Sequence, residues 1–413
     1  MRVLFVLHQF FPEFSAGTER VGLNLARMAQ RAGHTVHVLS CRMGEAPLGA
    51  KAVAVLPGAV ETVIEGVRVT LMDRRTLPQQ DSSLEPATAL QTPLQGWLER
   101  GRFDLVHGMH TMRMSTVFSA VERLRLPLIL SLTDHFLPCF RVNLVDLSGN
   151  PCEGPSGGHN CAQRCATPLW PLNALRARSA QAESLVRRAR WCVAPSAYVA
   201  RSYQKIYPGL EVKVIPHGVD LLKLMASRPE TGLAETPLTL GFVGTLNPAK
   251  GLHILLSALA TRPDWPLRLL IVGPSHDNAY AQQIHSAAQS DARVQFLGSL
   301  AHEEVHAVMR RLDLLCLPSV VPESFSLVVQ EAAAVGVPAL VSDLGAAAEH
   351  IARTGAGAVV SPGQVQAWTH ALEAWVTQPA LRATWRAAVR LPMRVEEEAF
   401  LYESLYLNVR ASF

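Results

Sequence analysis

The chain has 413 residues, of which 49% are hydrophobic, enough for two or three domains with sizeable cores. Its net charge of +4 is modest and no nucleic-acid-binding motif accompanies it, so we expect no nucleic-acid partner. No apolar run reaches 18 residues, and the chain enters a strand-like segment directly after Met1-Arg2. We therefore expect a cytoplasmic protein without a membrane span.

The first half of the sequence alternates strand-like and helix-like segments. The runs Val3–Leu7, Glu19–Ala32 and Thr35–Leu39 predict the opening βαβ unit of a doubly wound sheet. The loop before the helix contains Gly17 but lacks the three-glycine dinucleotide fingerprint, so NAD binding is not indicated. Similar runs continue, and we assign residues 1–220 to an N-terminal Rossmann-like domain.

Polar side chains gather where two of these strands end. One apolar run ends at His107 and His110, and the next is followed by Thr133, Asp134 and His135. A histidine is more often a structural hydrogen-bonding group than a catalyst, but ligand sites in α/β sheets form at the carboxyl ends of strands. We expect Asp134 to have a polar role in such a site, with a helix N-cap as its alternative.

Residues 139–165 form a Gly- and Pro-rich insertion that holds four of the seven cysteines, at Cys139, Cys152, Cys161 and Cys165. A cytoplasmic protein keeps its thiols reduced, so the clustering favours a metal over disulfides. Tetrahedral zinc on four thiolates would stabilise a loop that has no core of its own. Only the last spacing fits a chelating turn, so structural zinc and metal-free thiols both stay open.

Arginines are concentrated in the helical segment after Trp170, at Arg176, Arg178, Arg187, Arg188 and Arg190. A basic helix can rest on anionic lipid, which would bring the protein to the inner face of a membrane. The alternative is an ordinary solvated helix face.

The second half repeats the alternation. Prolines and acidic residues in 221–237 suit a linker or hinge, and residues 238–390 predict a second Rossmann-like domain before a terminal helix within 391–413. The first strand of this half leads into Gly244, Thr245 and Lys250. A cation in a Gly-flanked loop at the carboxyl end of a strand suits a bound diphosphate.

Two glutamates with seven residues between them stand out in the second half. Glu323 follows a buried strand-like run, and Glu331 lies on the apolar stripe of the next helix, where a carboxylate needs a partner. We expect that helix to begin near Phe325 or Ser326, which places Glu323 beside free N–H groups that hold an anion. A phosphate bound there would have a ribose within reach of Glu331.

This stretch, followed by the helix-ending Gly336 and Pro338, resembles the paired-glutamate signature of retaining, nucleotide-sugar-dependent glycosyltransferases of family four. The resemblance implies an α/β fold called GT-B, in which two Rossmann-like doubly wound domains face a central cleft and the terminal helix crosses back to the first domain. It assigns donor binding to Gly17, Gly244, Thr245, Lys250, Glu323, Ser324, Phe325, Ser326, Leu327 and Glu331.

The resemblance also implies individual roles. Glu323 contacts the donor sugar, Lys250 neutralises the diphosphate, Glu331 binds the ribose, and Asp134 joins Glu323 and Lys250 in catalysis. The chain departs from the usual pattern at Ala16, Thr133 and Thr245, where many members have Gly, His and Arg.

The implied reaction is retaining transfer of a sugar from a UDP- or GDP-sugar to a glycan or lipid-linked acceptor, typical of surface polysaccharide or glycolipid synthesis. Such enzymes usually need no divalent ion, and zinc in the cysteine insertion would be structural. Two alternatives remain: a nucleotide-sugar epimerase of the same fold, and a catalytically silent partner that binds a nucleotide sugar.

Overall fold

The computed structural model describes residues 1–47, 49–165, 170–221, 237–275 and 277–410. The chain divides into two compact units, each built around its own sheet. The first unit comprises residues Met1–Gly218 and the C-terminal helix Val395–Arg410, and the second lies within Val219–Arg394. The predicted linker at 221–237 lies almost entirely outside the described residues.

The first unit contains a nine-stranded sheet in the order β3-β4-β5-β2-β1-β6-β7-β8-β9. Its strands are β1 Arg2–Val6, β2 Thr35–Arg42, β3 Lys51–Ala52, β4 Val60–Ile64, β5 Val67–Asp73, β6 Leu105–Gly108, β7 Leu128–Ser131, β8 Trp191–Ala194 and β9 Val212–Val214. Its helices are Gly17–Arg31, Thr88–Gly101, Ser115–Arg123, His159–Arg164, Leu172–Arg188, Ala197–Ile206 and Val395–Arg410.

The second unit contains a six-stranded, all-parallel sheet in the order β12-β11-β10-β13-β14-β15. Its strands are β10 Leu238–Val243, β11 Leu267–Val272, β12 Val294–Gly298, β13 Leu314–Leu317, β14 Ala339–Ser342 and β15 Gly357–Val360. Its helices are Leu252–Ala260, Asn278–Ala288, His302–Met309, Leu327–Ala334, Gly345–Thr354, Val365–Thr377 and Pro379–Ala388.

Strand order explains where sites can form. In each unit the first strand is central, and the chain builds outward on one side before it crosses to the other, so a switch point lies between β1 and β6 and another between β10 and β13. The loops that leave the carboxyl ends of such neighbouring strands diverge and leave room for a ligand. The central strands are apolar on both faces because helices cover both, and Val3, Leu4, Phe5 and Val6 are fully buried.

The irregular segment after β2 differs from a pure parallel layout. Strands β3 and β4 run antiparallel at the edge of the first sheet, paired as β3 with β4 and β4 with β5. The sequence predicted little structure here because the prolines between 47 and 93 interrupt every apolar period.

Buried polar contacts attach the terminal helix Val395–Arg410 to the first sheet. The Tyr406 hydroxyl lies 2.8 Å from His107 Nδ1, and the Tyr402 hydroxyl lies 2.8 Å from Ser131 Oγ. His107 is therefore a structural hydrogen-bonding residue under this helix, which is the commoner of the two roles considered for it. Burial lowers the pKa of His107 to about 3, which keeps the ring neutral.

Glu398 makes the deepest of these attachments. Its carboxylate is fully buried, lies 2.9 Å from His217 Nδ1 and accepts a 2.8 Å hydrogen bond from the Gly218 N–H. We expect Glu398→Ala to lower the free energy of unfolding of this unit by about 2–5 kcal/mol, because both partners lose their acceptor while buried. Denaturant titration checks this, with the exposed Glu396→Gln on the same helix as control. Equal stability of the two variants would contradict it.

Candidate active site

Two loops of the second unit meet at its switch point. The loop after β10 ends in the turn Pro248–Lys250, and the loop after β13 begins at Pro318. Gly251 has a φ of +68°, and a Cβ there would overlap the Pro318 carbonyl oxygen. The Val320 N–H donates to the carbonyl of Ala249 at 2.8 Å. Only glycine lets the two loops approach this closely.

The side chains of these loops converge on Glu323. The Lys250 ammonium donates to Glu323 Oε1 at 2.7 Å, and the Ser319 hydroxyl donates to the same oxygen at 2.6 Å. The Glu323 side chain is 13% exposed and that of Lys250 is 29% exposed, so a ligand can reach both. The structure thus brings together two residues that lie 73 positions apart, and it adds Ser319, which no sequence pattern indicated.

The backbone of Glu323 is fixed from its other side. Gly345, with a φ of +68°, lies so close that a Cβ would overlap the Glu323 backbone, and the Ala346 N–H donates to the Glu323 carbonyl at 2.8 Å. The Glu323 side chain therefore contacts the loop after β10, and its backbone contacts the residues that follow β14.

The helix after Glu323 begins slightly later than expected. It spans Leu327–Ala334, and Ser326 before it adopts a left-handed φ of +66°. Its first N–H groups have no acceptor within the helix. Ser324, Phe325, Ser326 and Leu327 are all partly exposed.

Gly244 and Thr245 lie directly after β10, next to the Lys250 turn. The Gly244 N–H donates to the Val272 carbonyl at 2.9 Å, and the Leu246 N–H donates to the Pro274 carbonyl at 2.8 Å. The exit of β10 is thereby fixed against the exit of β11.

Glu331 has neighbours that the sequence prediction did not include. Its carboxylate lies within 4.8 Å of ring nitrogens of His302 and His306, on the helix His302–Met309. A four-residue interval places both rings on one helix face. This spacing is the sequence signal from which the pair of histidines could have been predicted.

In the first unit, Asp134 meets His110 rather than His107. Asp134 Oδ2 lies 2.8 Å from His110 Nε2, and Asp134 Oδ1 accepts from the Phe136 N–H at 2.8 Å. Burial opposes ionisation of Asp134, but the neighbouring His110 and the Phe136 amide outweigh it and hold the pKa of the carboxyl below its usual range. Asp134 thus makes polar contacts at a strand end and caps a turn, and its role in catalysis stays a prediction.

The two residues beside Asp134 face the core. The Thr133 hydroxyl donates to the Met109 carbonyl at 3.3 Å, and His135 stacks on Tyr203 with ring centroids 6.1 Å apart. Burial lowers the pKa of His135 to about 4.

A second acid of the first unit was not predicted from the sequence. Glu19, in the first turn of the helix Gly17–Arg31, is 1% exposed, and neither carboxylate oxygen has a hydrogen-bond partner in the described residues. It lies 4.0 Å from His8 Nε2, and the His8 ring lies 4.0 Å from that of His110. Burial raises the pKa of Glu19, whereas nearby backbone amides and the Gln9 side chain act in the opposite direction. Gly17 itself is exposed.

The four cysteines of the insertion 139–165 are free thiols. Burial raises the pKa of Cys161 to about 12, with Cys139, Cys152 and Cys165 acting in the same direction. In the part of the chain that the structure describes, which includes all four, no three of their sulfur atoms lie within 4.8 Å of one another. This spacing does not form a tetrahedral thiolate site, and structural zinc stays a prediction.

The arginine-rich helix is not uniformly exposed. Arg178 is buried, and its guanidinium donates to the carbonyls of Ser82, Leu137 and Phe136. Arg178 therefore holds the backbone just before the insertion and is unavailable to lipid. Among the helices that the structure describes, none combines the length and apolar character needed to cross a bilayer.

Comparison with solved structures defines the class of the fold. The chain aligns over its full length with sucrose-phosphate synthase from Thermosynechococcus elongatus, with a TM-score of 0.72, 18% identity and 100% of both chains covered. It aligns over 100% of both chains with HepE from Anabaena, solved with UDP-glucose, with a TM-score of 0.66 and 19% identity. The fold is that of the GT-B glycosyltransferases.

Sequence comparison identifies the family. Residues 15–222 match Glycosyltransferase Family 4, and residues 225–391 match Glycosyl transferases group 1. The chain belongs to this family of glycosyltransferases.

Two curated relatives illustrate the range of the family. The glycogen synthase of Mycobacterium tuberculosis is 28% identical over 92% of this chain and 87% of its own length. The D-inositol 3-phosphate glycosyltransferase of Rhodococcus erythropolis is 29% identical over 53% of each protein, so the chain spans about half of that relative.

The buried Glu19 yields a stability prediction. A carboxyl whose pKa is raised on folding costs no stability below its unfolded pKa of about 4.3, and the cost grows by about 1.4 kcal/mol for each pH unit between the unfolded and the folded pKa. We expect Glu19→Gln to raise the melting temperature at pH 7–8, with a gain that vanishes near pH 4. Thermal unfolding across this range checks it, with the exposed Glu99→Gln as control. A lower melting temperature at pH 7 would show that the carboxylate stabilises the fold.

Proposed function

We propose that this glycosyltransferase moves a sugar from a nucleotide diphosphate sugar to an acceptor hydroxyl with retention of anomeric configuration. The observation that supports this most is the convergence of Lys250 and Ser319 on the Glu323 carboxylate at the switch point of the second sheet. A partly exposed cation beside a carboxylate at such an edge suits a ligand with an anionic leaving group and a polyhydroxyl group.

In the proposed mechanism the leaving diphosphate gains charge as the bond to the sugar breaks. Lys250 stabilises that charge together with the N–H groups around Phe325, Ser326 and Leu327 at the start of the helix. Glu323 accepts hydrogen bonds from the sugar hydroxyls and orients the sugar, and Glu331 binds the ribose. Lys250 leaves Glu323 when the diphosphate arrives, because a dianionic group competes for the ammonium.

The donor is a UDP- or GDP-sugar in this proposal. The similar structure of HepE, which was solved with UDP-glucose, favours a UDP-sugar. The acceptor is a glycan or a lipid-linked sugar at the inner face of a membrane. Catalysis needs no metal, because Lys250 supplies the positive charge. In the first unit, Asp134 takes part in catalysis and Gly17 binds the donor. The family membership favours this function over the epimerase and the silent partner.

Substitutions at the Glu323 contacts test the proposal. We expect Lys250→Gln to reduce kcat/KM about 10²–10³-fold, since one charge-stabilising donor is lost. Ser319→Ala should cost about tenfold, because Glu323 keeps one of its two hydrogen bonds. Glu323→Gln should also lower turnover while the circular dichroism spectrum stays unchanged. Nucleotide release from UDP- and GDP-sugars measures all three.

The matched control is Lys205→Gln, which removes an exposed lysine paired with Glu153 in the first unit. Wild-type turnover in Lys250→Gln would overturn the assignment of this lysine. Proton NMR of the product reports the anomeric configuration, and an inverted product would overturn the retaining mechanism.

A further inference from the structure

Three potential metal ligands come together beside the helix that carries Glu331. His302 and His306 lie one turn apart on the helix His302–Met309, and the Glu331 carboxylate comes from the neighbouring helix Leu327–Ala334. One ligand atom from each of the three residues lies within 4.8 Å of the others. In the part of the chain that the structure describes, no other group of three His, Cys, Asp or Glu side chains meets this spacing.

His306 contributes a buried, unpartnered ring nitrogen beside this cluster. The residue is 2% exposed, and its Nε2 is buried with no hydrogen-bond partner in the described residues. A buried ring nitrogen without a partner costs stability unless something binds it. A metal ion bound through this nitrogen would remove that cost, and the Glu331 carboxylate of the neighbouring helix supplies negative charge close by.

Charged side chains of both signs surround the His306 ring. Burial lowers the pKa of His306 to about 4, with His302 and Arg310 acting in the same direction, whereas Glu303 and Asp220 raise it. Glu303 and Asp220 therefore place negative charge near the ring, and Arg310 places positive charge there.

We propose that His302, His306 and Glu331 form a binding site for a divalent transition-metal ion of the zinc class. Two histidines four residues apart on one helix with a glutamate from another element form a three-ligand set that leaves a coordination position open. Nitrogen and carboxylate ligands suit Zn²⁺, Co²⁺ and Ni²⁺, and they disfavour Mg²⁺ and Ca²⁺.

Metal binding would regulate the enzyme through Glu331. This consequence rests on the proposed function, in which Glu331 binds the ribose of the donor. A metal-bound carboxylate has fewer lone pairs free for hydroxyl groups, so metal binding weakens donor binding. The metal is then an inhibitor that raises the KM for the donor and leaves kcat unchanged.

Cobalt titration of the full-length chain, stripped with a chelator, tests the site. Co²⁺ on histidine and carboxylate gives visible d–d bands, whereas Co²⁺ on thiolates adds strong near-ultraviolet charge-transfer absorption, so the cysteine insertion is distinguished. We expect visible bands that saturate at about one equivalent in the wild type. We expect His306→Ala and His302→Ala to lose them, and the exposed His370→Ala of the same unit to retain them.

The outcomes are separable. Loss of the bands in both cluster variants with folding retained supports the site, and unchanged bands in either variant overturn it. Displacement of cobalt by UDP in the wild type supports the shared use of Glu331. If the bands are lost in His306→Ala but saturating UDP does not displace cobalt from the wild type, the metal site is supported and only its coupling to donor binding is overturned.

Discussion

The carboxylate of Glu323 depends on backbone positions that lie far from it in sequence. Lys250 reaches it only because the turn Pro248–Lys250 is followed by Gly251, which allows the loop after β10 to touch Pro318. Gly345 allows an equally close approach from the opposite side. A side chain at either glycine would separate the loops by more than a hydrogen bond tolerates, so backbone packing and site geometry are one constraint.

The strands of the second unit could be predicted closely, and those of the first less so. Leu238–Val243, Leu267–Val272 and Leu314–Leu317 are each a largely buried apolar run between turn residues, which is the pattern that indicates a strand. Strands β3 and β4 were missed, since they are short, lack buried residues and carry no apolar period. The edge strand β3 is paired on one side only, and the residues of such a strand face solvent as much as they pack.

Site residues could be predicted where they belong to a sequence motif. They could not be predicted where tertiary packing alone brings them to the site. The motif spacing identified Glu323 and Lys250, but Ser319 became visible only through its 2.6 Å contact with Glu323. His107 and His110 share a strand end, yet one lies under the terminal helix and the other meets Asp134. His107 lies within β6, whereas His110 lies beyond its end. The sequence around each histidine does not indicate which helix or loop will pack over it.

Glu323 and Glu331 show how environment separates two identical side chains on one segment. The first meets an ammonium and a hydroxyl, and the ammonium belongs to a side chain that is 29% exposed, so an arriving anion can compete for it. The second lies near two imidazoles, of which that of His306 is buried. A carboxylate already paired with an ammonium gains little from a further cation, whereas a carboxylate beside imidazole nitrogens lies among atoms that ligate transition metals. This difference is why we propose an exchangeable sugar contact for Glu323 and a coordinated ion for Glu331.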